Sequence, residues 1–514
     1  MKRLLIVTLL TAVILPSSLL AQEGPGAKVF DWLHNNMSME MGSVSIDGTS
    51  YSKVVLSPNV SLGELKLGFY LPIIYTKDLF DPTSWYAPGG NNEWSFGTEY
   101  WGDDTWLALK DTAADIILKV KYLEYGQPLE DPFFVKVGNL KNLTMGHGLI
   151  LRNYRNDSDF PSIRRTGINT GIDFGGFGFE ALANDLPVPE IFGARLYFRP
   201  IKSSKLAFGF SGVADIAAAN DLEGTAGATK DYSAAAENFT FIGTGVDLDL
   251  PIIEKNAVMG IRAFADASVT VPYVKSTILA AQLPFATQDI KSGLQTNMIW
   301  DGEPKNWGAA AGFLGNLLLI DWRLEYRYFT GIFRPAFFDS TYERSRSAYA
   351  THNLDYLDGA LIANNPTVMG IYGEAGFTLF KDKLMLQAGY MWPWNPEDGF
   401  KLSATADDEF HAGLGIKKGL IPVVDLSGAI YYDKWNLVGS IVDDSFEFFD
   451  EKTAFAGEIE IPIPGTPNLA IGLIFKAVAK RDPTTGNVVY KETGNPSSGV
   501  IMTPSITMET RFRF

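Results

Sequence analysis

The 514-residue sequence contains no cysteine. The chain therefore has no disulfide, no thiolate metal site and no cysteine-linked lipid anchor. A cysteine-free chain suits passage through an oxidising compartment. Histidine is nearly as scarce. His34, His147, His352 and His411 lie far apart, and none falls in an HExxH or H-x-x-x-H arrangement. No phosphate-binding loop or dinucleotide fingerprint is present. Lysine and arginine number 43 against 59 aspartates and glutamates, a net charge of −16. That balance excludes a nucleic-acid partner, because phosphate binding needs a positive face. After the N-terminus no apolar run reaches the roughly 18 residues that a membrane helix needs. Length alone would suggest about three soluble domains. Yet no proline-, glycine- or serine-rich linker divides the chain, and its 50 glycines and 34 phenylalanines are spread throughout.

What is present begins with a leader-like N-terminus. Met1, Lys2 and Arg3 open it with positive charge, Leu4 to Leu15 is an apolar and threonine run, and Pro16, Ser17 and Ser18 break it before Ala21. This is the layout of a secretory signal peptide, with a cut after residue 21. A short periplasmic segment, 22–37, would follow. Residues 38–514 would then form one unit.

That unit alternates with a period of two. Leu318, Ile320, Trp322, Leu324, Tyr326 and Tyr328 share one face, and Asp321, Arg323, Glu325 and Arg327 the other. A helix would scatter those charges around its circumference. Ile116, Leu118, Val120 and Tyr122 alternate with Lys119 and Lys121. Phe192, Ala194, Leu196 and Phe198 alternate with Arg195, Tyr197 and Arg199. Val246, Leu248 and Leu250 enclose Asp247 and Asp249. Met259, Ile261, Ala263 and Ala265 oppose Arg262 and Asp266, and Phe455, Gly457, Ile459 and Ile461 enclose Glu458 and Glu460. One face tolerates oil and the other water, as in the wall of a membrane barrel.

The C-terminus repeats the rhythm. Ile506, Met508, Thr510, Phe512 and Phe514 form one face, and Glu509, Arg511 and Arg513 the other. Here the chain resembles Gram-negative-type outer-membrane barrels, porin-like in pattern, whose last strand ends in an aromatic residue. The resemblance implies that Phe512 and Phe514 are an assembly signal read by the barrel-assembly machinery. It covers the whole of 38–514 at the level of the class. The expected fold is all-β, a transmembrane antiparallel barrel of roughly 20 strands (about 16–24), with long outer loops and short periplasmic turns. Short connections are expected near Gly175–Gly176, Pro200–Lys205, Pro251–Asn256, Gly315–Asn316, Phe380–Lys383, Lys417–Pro422 and Pro462–Asn468. The connection Asp185–Glu190 is expected to be outer but short.

Gly138, then Gly146-His147-Gly148-Leu149, then Arg152 resembles a run in porin-like barrels that leaves the wall and folds inward. Glycines permit such a bend. Arg152, Arg155, Arg164 and Arg165 could then ring one mouth as a charge filter, or neutralise carboxylates such as Asp173 and Glu180. Phe329–Ala363, with Arg334, Arg344 and Arg346, is a second candidate for infolding. Further lumen candidates are Lys119, Lys121, Arg195, Arg262, Asp321, Arg323, Glu325 and Arg327. Trp85, Tyr86, Trp94, Tyr100, Trp101 and Trp106 could stack sugars or form an interfacial girdle, which Trp392, Trp394 and Trp435 suit better. The expected function is a porin-like channel for passive diffusion of small polar solutes, without catalysis, cofactor or metal. The alternatives are a hydrophobic-solute transporter, and a surface adhesin or structural barrel with a plugged lumen. An energised receptor with a large plug domain ranks lower, because 22–37 is too short for one. A Ser–His–acid enzyme at the outer rim would need a histidine beside a nucleophile. Expected partners are outer-membrane lipid, the barrel-assembly machinery, small polar solutes and, as one option, further copies of the chain as a homo-oligomer.

Overall fold

In the computed structural model of the chain, the residues described are 37–513, apart from 88–92, 129–130, 202–204, 223–231, 236, 284–285, 360–364, 422–424, 467 and 484. The leader 1–21, nearly all of 22–37 and the terminal Phe514 lie outside them. Strand β1 begins at Met37, one residue before the expected barrel boundary.

Twenty strands form one closed antiparallel sheet. They are β1 Met37–Ile46, β2 Thr49–Leu62, β3 in two pieces Leu65–Phe69 and Leu71–Tyr75, β4 Val120–Tyr125, β5 Phe133–Gly138, β6 Gly167–Asp173, β7 Phe177–Ala183, β8 Ile191–Ile201, β9 Leu206–Asp215 and β10 Phe239–Ile253. Then follow β11 Met259–Val274, β12 Trp307–Leu317, β13 Ile320–Thr330, β14 Thr367–Leu379, β15 Leu384–Trp394, β16 Glu409–Ile416, β17 Ser427–Trp435, β18 Thr453–Pro462, β19 Leu469–Ala479 and β20 Met502–Arg513. Each pairs with the next. The ring closes between β1 and β20, with Ser38 opposite Arg513, Met39 opposite Phe512 and Val44 opposite Thr507. A two-residue ladder, Gly293–Leu294, adds to β11 from an outer loop.

The alternation sorts the two faces. On β13, Leu324 and Tyr326 are 52% and 43% exposed outside, while Glu325 and Arg327 are 3% and 1% exposed inside. Leu196, Phe198, Val246 and Met508 likewise point outward, and Asp247, Asp249, Asp266 and Glu509 are buried within. Closure satisfies the backbone of every strand, and only a bilayer accommodates so wide an apolar band around a charged interior. The chain is therefore a transmembrane β-barrel.

Connections at the Met37 and Arg513 end are short and those at the other end mostly long. The expected short outer connection between β7 and β8 is present, and a second joins β1 to β2 through Asp47 and Gly48, both with positive φ. An Asp-Gly pair suits that two-residue hairpin. Two expectations need correction. The turn placed at Gly315–Asn316 is at 318–319, where Leu318 takes a φ of +54°. The strand expected from Ile116 starts only at Val120. Residues Thr105–Leu118 form helix α1 instead, because the Asp104 side chain caps the free N–H groups of Trp106 and Leu107 and an alanine- and leucine-rich run follows. Among the described residues two further α-helices, α2 Tyr342–Leu357 and α3 Leu437–Val442, lie in outer loops.

Gly42 faces the closing seam. A Cβ there would lie 1.9 Å from the Met508 carbonyl oxygen. Gly42→Val must push the backbones of β1 and β20 apart, at a cost of about 1–3 kcal/mol or more. The expected outcome is loss of the compact, heat-modifiable gel species after refolding. Gly373→Ala, whose nearest neighbour is 4.0 Å away, should retain it.

Candidate functional site

Strand β13 aims Arg323, Glu325 and Arg327 into the lumen at every second position, and β14 and β16 bring Tyr372, Glu374, Glu409 and His411 to the same level. Glu325 is the hub. It accepts from Arg327 Nε at 2.6 Å and from Arg323 Nε at 2.7 Å, and Arg152 Nη1 lies 3.4 Å away. Arg152 also reaches Glu374 at 2.8 Å, and Arg327 reaches Glu409 at 2.8 Å. Both guanidiniums stack on the Tyr372 ring, 4.0 and 4.4 Å from its centroid. The Tyr372 hydroxyl donates to Glu374 at 2.9 Å, and His411 Nε2 lies 3.6 Å from the same carboxylate. Such burial of charge is tolerated because each cation meets an anion or a ring face.

Arg152 belongs to a segment that leaves the wall after β5 and runs inward to residue 166. A second inward segment follows β13 and contains α2. The two bond to each other. Ala336 N donates to the Leu149 carbonyl, Phe338 N to that of Ile150, and Arg152 N to that of Phe338. Leu151, Tyr154, Phe337, Phe338, Tyr342 and Leu354 pack between them in an apolar core inside the barrel. The expected infolding of Phe329–Ala363 is thus seen as far as residue 359; its last residues lie outside those described.

The four clustered arginines are not grouped around one opening. Arg152 goes to Glu325 and Glu374. Arg155 pairs with Asp157 at 3.3 Å and stacks on Tyr431, Arg164 pairs with Glu93 at 2.9 Å and stacks on Tyr70, and Arg165 pairs with Glu343 at 2.7 Å. The carboxylates suggested for them take other partners: Asp173 meets Arg199, and Glu180 meets Arg195. Among the other lumen candidates, Arg195 is clamped by Asp247, and Lys119 holds Glu93 and covers Trp94. Arg262 is half-exposed and lies 3.3 Å from Asp249, which also faces His147. Asp321 sits at the exposed end of β13, 3.7 Å from Lys255. Lys121 points into a cavity described below.

Arg344 and Arg346 on α2 meet Asp159 at 2.7 Å and Glu190 at 2.6 Å. Burial alone would raise the Asp159 carboxyl, but Arg344 and Arg481 outweigh it and hold the group below its usual range. Burial does dominate at Asp185, which is pushed up to about 7. Trp435 is no girdle residue. It is buried in the lumen, donates to Asp339 at 2.5 Å and lies under Arg334. Trp85 and Trp94 pack edge to face, 5.7 Å apart, while Trp101 and Trp106 remain exposed.

Glu374, Glu409 and Tyr372 are not among the lumen candidates drawn from the sequence, and His411 enters there only as an isolated histidine. Their signal was the same alternation, Glu409-Phe410-His411 and Tyr372-Gly373-Glu374, diluted by glycine on the facing strands. Beneath the inward segments, toward the Met37 and Arg513 end, lies a cavity of about 440 Å³. Lys53, Lys121, Arg164, Lys476, Glu509 and Arg511 are among its walls. The described residues include no cluster of three or more histidines and carboxylates able to hold a metal ion.

Neither a family model nor a curated protein matches the sequence. Several solved structures are similar in trace. P. aeruginosa FpvA, bound to heterologous pyoverdines, has 10% identity over 93% of this chain and 71% of its own, with a TM-score of 0.35. Pseudomonas aeruginosa OpdK with vanillate has 8% identity, covering 93% and 97%, at 0.31. Wzi of Escherichia coli, described as a carbohydrate-binding β-barrel involved in group 1 capsule assembly, has 10% identity, covering 95% and 86%, at 0.33.

Removing the hub charge tests the network. Glu325→Gln leaves Arg152, Arg323 and Arg327 short of one shared counter-charge, and breaking a buried pair costs about 3–5 kcal/mol. The urea midpoint of the refolded protein in detergent should fall accordingly. An unchanged midpoint would mean that the three guanidiniums do not depend on Glu325.

Proposed function

We propose that the chain is an outer-membrane channel for small polar solutes, narrowed by its own inward segments. The observation that carries this reading is the chemistry of the interior. The wall facing the cavity, and the joints between wall and inward segments, are built from ion pairs and hydroxyls. A hydrophobic solute would have to displace charge at every step, so the apolar-transporter alternative fits poorly. A polar solute exchanges one hydrogen-bonding partner for another, which keeps binding weak enough for release. Arg152, Arg155, Arg164 and Arg165 then act as ties that set the width of the passage and add positive charge beside it.

One observation favours the second reading, a structural barrel with a blocked lumen. Arg344 is 2% exposed and Tyr342 and Tyr372 are fully buried, so the outer half is tightly filled. Conductance across a planar bilayer separates the two. The channel reading expects steady current, smaller than an empty barrel of this size would pass. Replacing the four arginines together by serine should raise conductance and move the reversal potential in a salt gradient toward cations. A silent wild-type protein with an intact fold would overturn the channel and leave the scaffold.

A further inference from the structure

We infer that the lumen cavity beneath the inward segments is a binding site for small oxyanions, carboxylate or phosphate. The inference rests on the channel reading only for the traffic of the solute; the site itself stands on charge and geometry. Among the described residues, seven lysines and arginines line the cavity against five carboxylates, in a chain whose net charge is −16. The carboxylates are already engaged. Glu509 takes Lys53 at 2.5 Å and Arg511 at 2.7 Å, and Glu460 takes Arg511 at 3.0 Å and Arg513 at 2.6 Å. Glu40 shares Lys53 at 3.1 Å, and Glu458 holds Arg511 at 2.6 Å. Asp157 is held by Arg155 from outside the cavity and lies 3.6 Å from Lys141 of its lining, while Arg164 is held by Glu93.

Two cations are left over. Lys476 donates to the backbone carbonyl of Asp157 at 3.1 Å; the Asp157 carboxylate acts on it from beyond ion-pair distance, and no described carboxylate lies within that distance of its Nζ. Lys121 has none within that distance either; its Nζ lies 5.9 Å from the centroid of the Tyr70 ring. Ammonium groups inside a low-dielectric wall are costly without a counter-charge. Thr507 and Asn139 line the same space and supply neutral donors for a second oxygen. A two- or three-oxygen anion completes what the fold leaves open, and 440 Å³ limits it to a small molecule.

Calorimetric titration of inorganic phosphate, and separately of acetate, into detergent-solubilised protein tests this. Wild type should bind at least one, and which one identifies the oxyanion. Lys121→Gln with Lys476→Gln should weaken binding by roughly tenfold or more. Lys401→Gln, which removes a cation from an exposed outer loop, should leave it unchanged. No binding by wild type, or equal binding by the double variant, overturns the site. Bilayer current with no anion binding sinks the site and spares the channel. Anion binding by a silent barrel does the reverse.

A separate observation concerns α1. Its buried positions are Ala108, Asp115 and Leu118. Asp115 and the partly buried Asp111 on the same side hold the turn 95–97: Asp111 accepts from Gly97 N at 2.9 Å and Asp115 from Phe96 N at 2.6 Å. The opposite side carries Trp106, Leu109 and Ile116, 75%, 50% and 58% exposed, with Ala113 between them and Lys110 beside them. An amphipathic helix with its acids inward and its apolar stripe outward is inverted for a water-facing loop. The stripe ends two residues before the helix does, and the chain then enters β4 at the outer rim of the lipid-facing wall. The geometry points to an interfacial helix whose stripe sits in the outer leaflet. The cysteine-free chain permits single nitroxide labels at Leu109→Cys, Ile116→Cys and, as control, Asp103→Cys in phosphatidylcholine vesicles. Labels at 109 and 116 should be several-fold more accessible to oxygen than to a nickel chelate, and the label at 103 the reverse. Equal nickel access at all three, or spin–spin broadening from a second copy, would overturn the assignment.

Discussion

The structure depends on keeping charge inside a wall that faces hydrocarbon. Closure of the sheet at Ser38 and Arg513 satisfies the backbone, and period-two alternation puts oil outside and charge inside. From that point the interior has no cheap way to hold a lone guanidinium. Arg152, Arg323 and Arg327 therefore converge on Glu325, and Arg152 and Arg327 stack on Tyr372 as well. The inward segments follow from the same need. They carry arginines and carboxylates complementary to the wall, so that filling the lumen and pairing its charges are one event.

This explains why the filling is ionic at its edges and apolar only at its heart. The cluster around Phe337, Phe338 and Tyr342 joins the two inward segments to each other. Arg152, Arg165, Arg344 and Arg346 join them to the wall or to one another. Replacing a buried pair by well-packed apolar groups is often neutral or stabilising, so these pairs are not needed for stability as such. Their distinguishing property is that water and ions can substitute for them one at a time. An interior closed by such pairs can be narrowed without being sealed by oil.

The two-residue rhythm made the barrel legible before any geometry. It located most turns, separated short connections from long ones, and placed Arg323, Glu325 and Arg327 in the lumen. It failed where local chemistry competes. Ile116 to Tyr122 alternates as a strand does, yet Asp104 caps a helix that runs through Leu118. Trp435 looked interfacial because it ends a strand, and only Asp339 and Arg334, about a hundred residues earlier, reveal that it faces inward. The four arginines were visible as a cluster in sequence, but their partners Glu93, Glu343 and Glu374 are distant, and one sequence holds no record of such pairings. Proximity along the chain suggested a ring; the fold distributes the same residues over several anchors.

The chain is strongly acidic while the cavity under its inward segments has more cations than anions, and the two facts are compatible for a physical reason. Exposed loop acids such as Asp443 and Asp444 are screened by water and salt within about 8 Å, so their field reaches the lumen only weakly. Inside, low-dielectric walls make each local imbalance felt at full strength. On the proposed anion site, Lys121 and Lys476, which have no described carboxylate within ion-pair distance, attract small anions whatever the charge of the rest of the molecule. If the proposed site does take anions, the acidic exterior acts on their kinetics: one entering from the outer side would meet repulsion first, and one arriving from the Met37 and Arg513 end would meet the cavity directly.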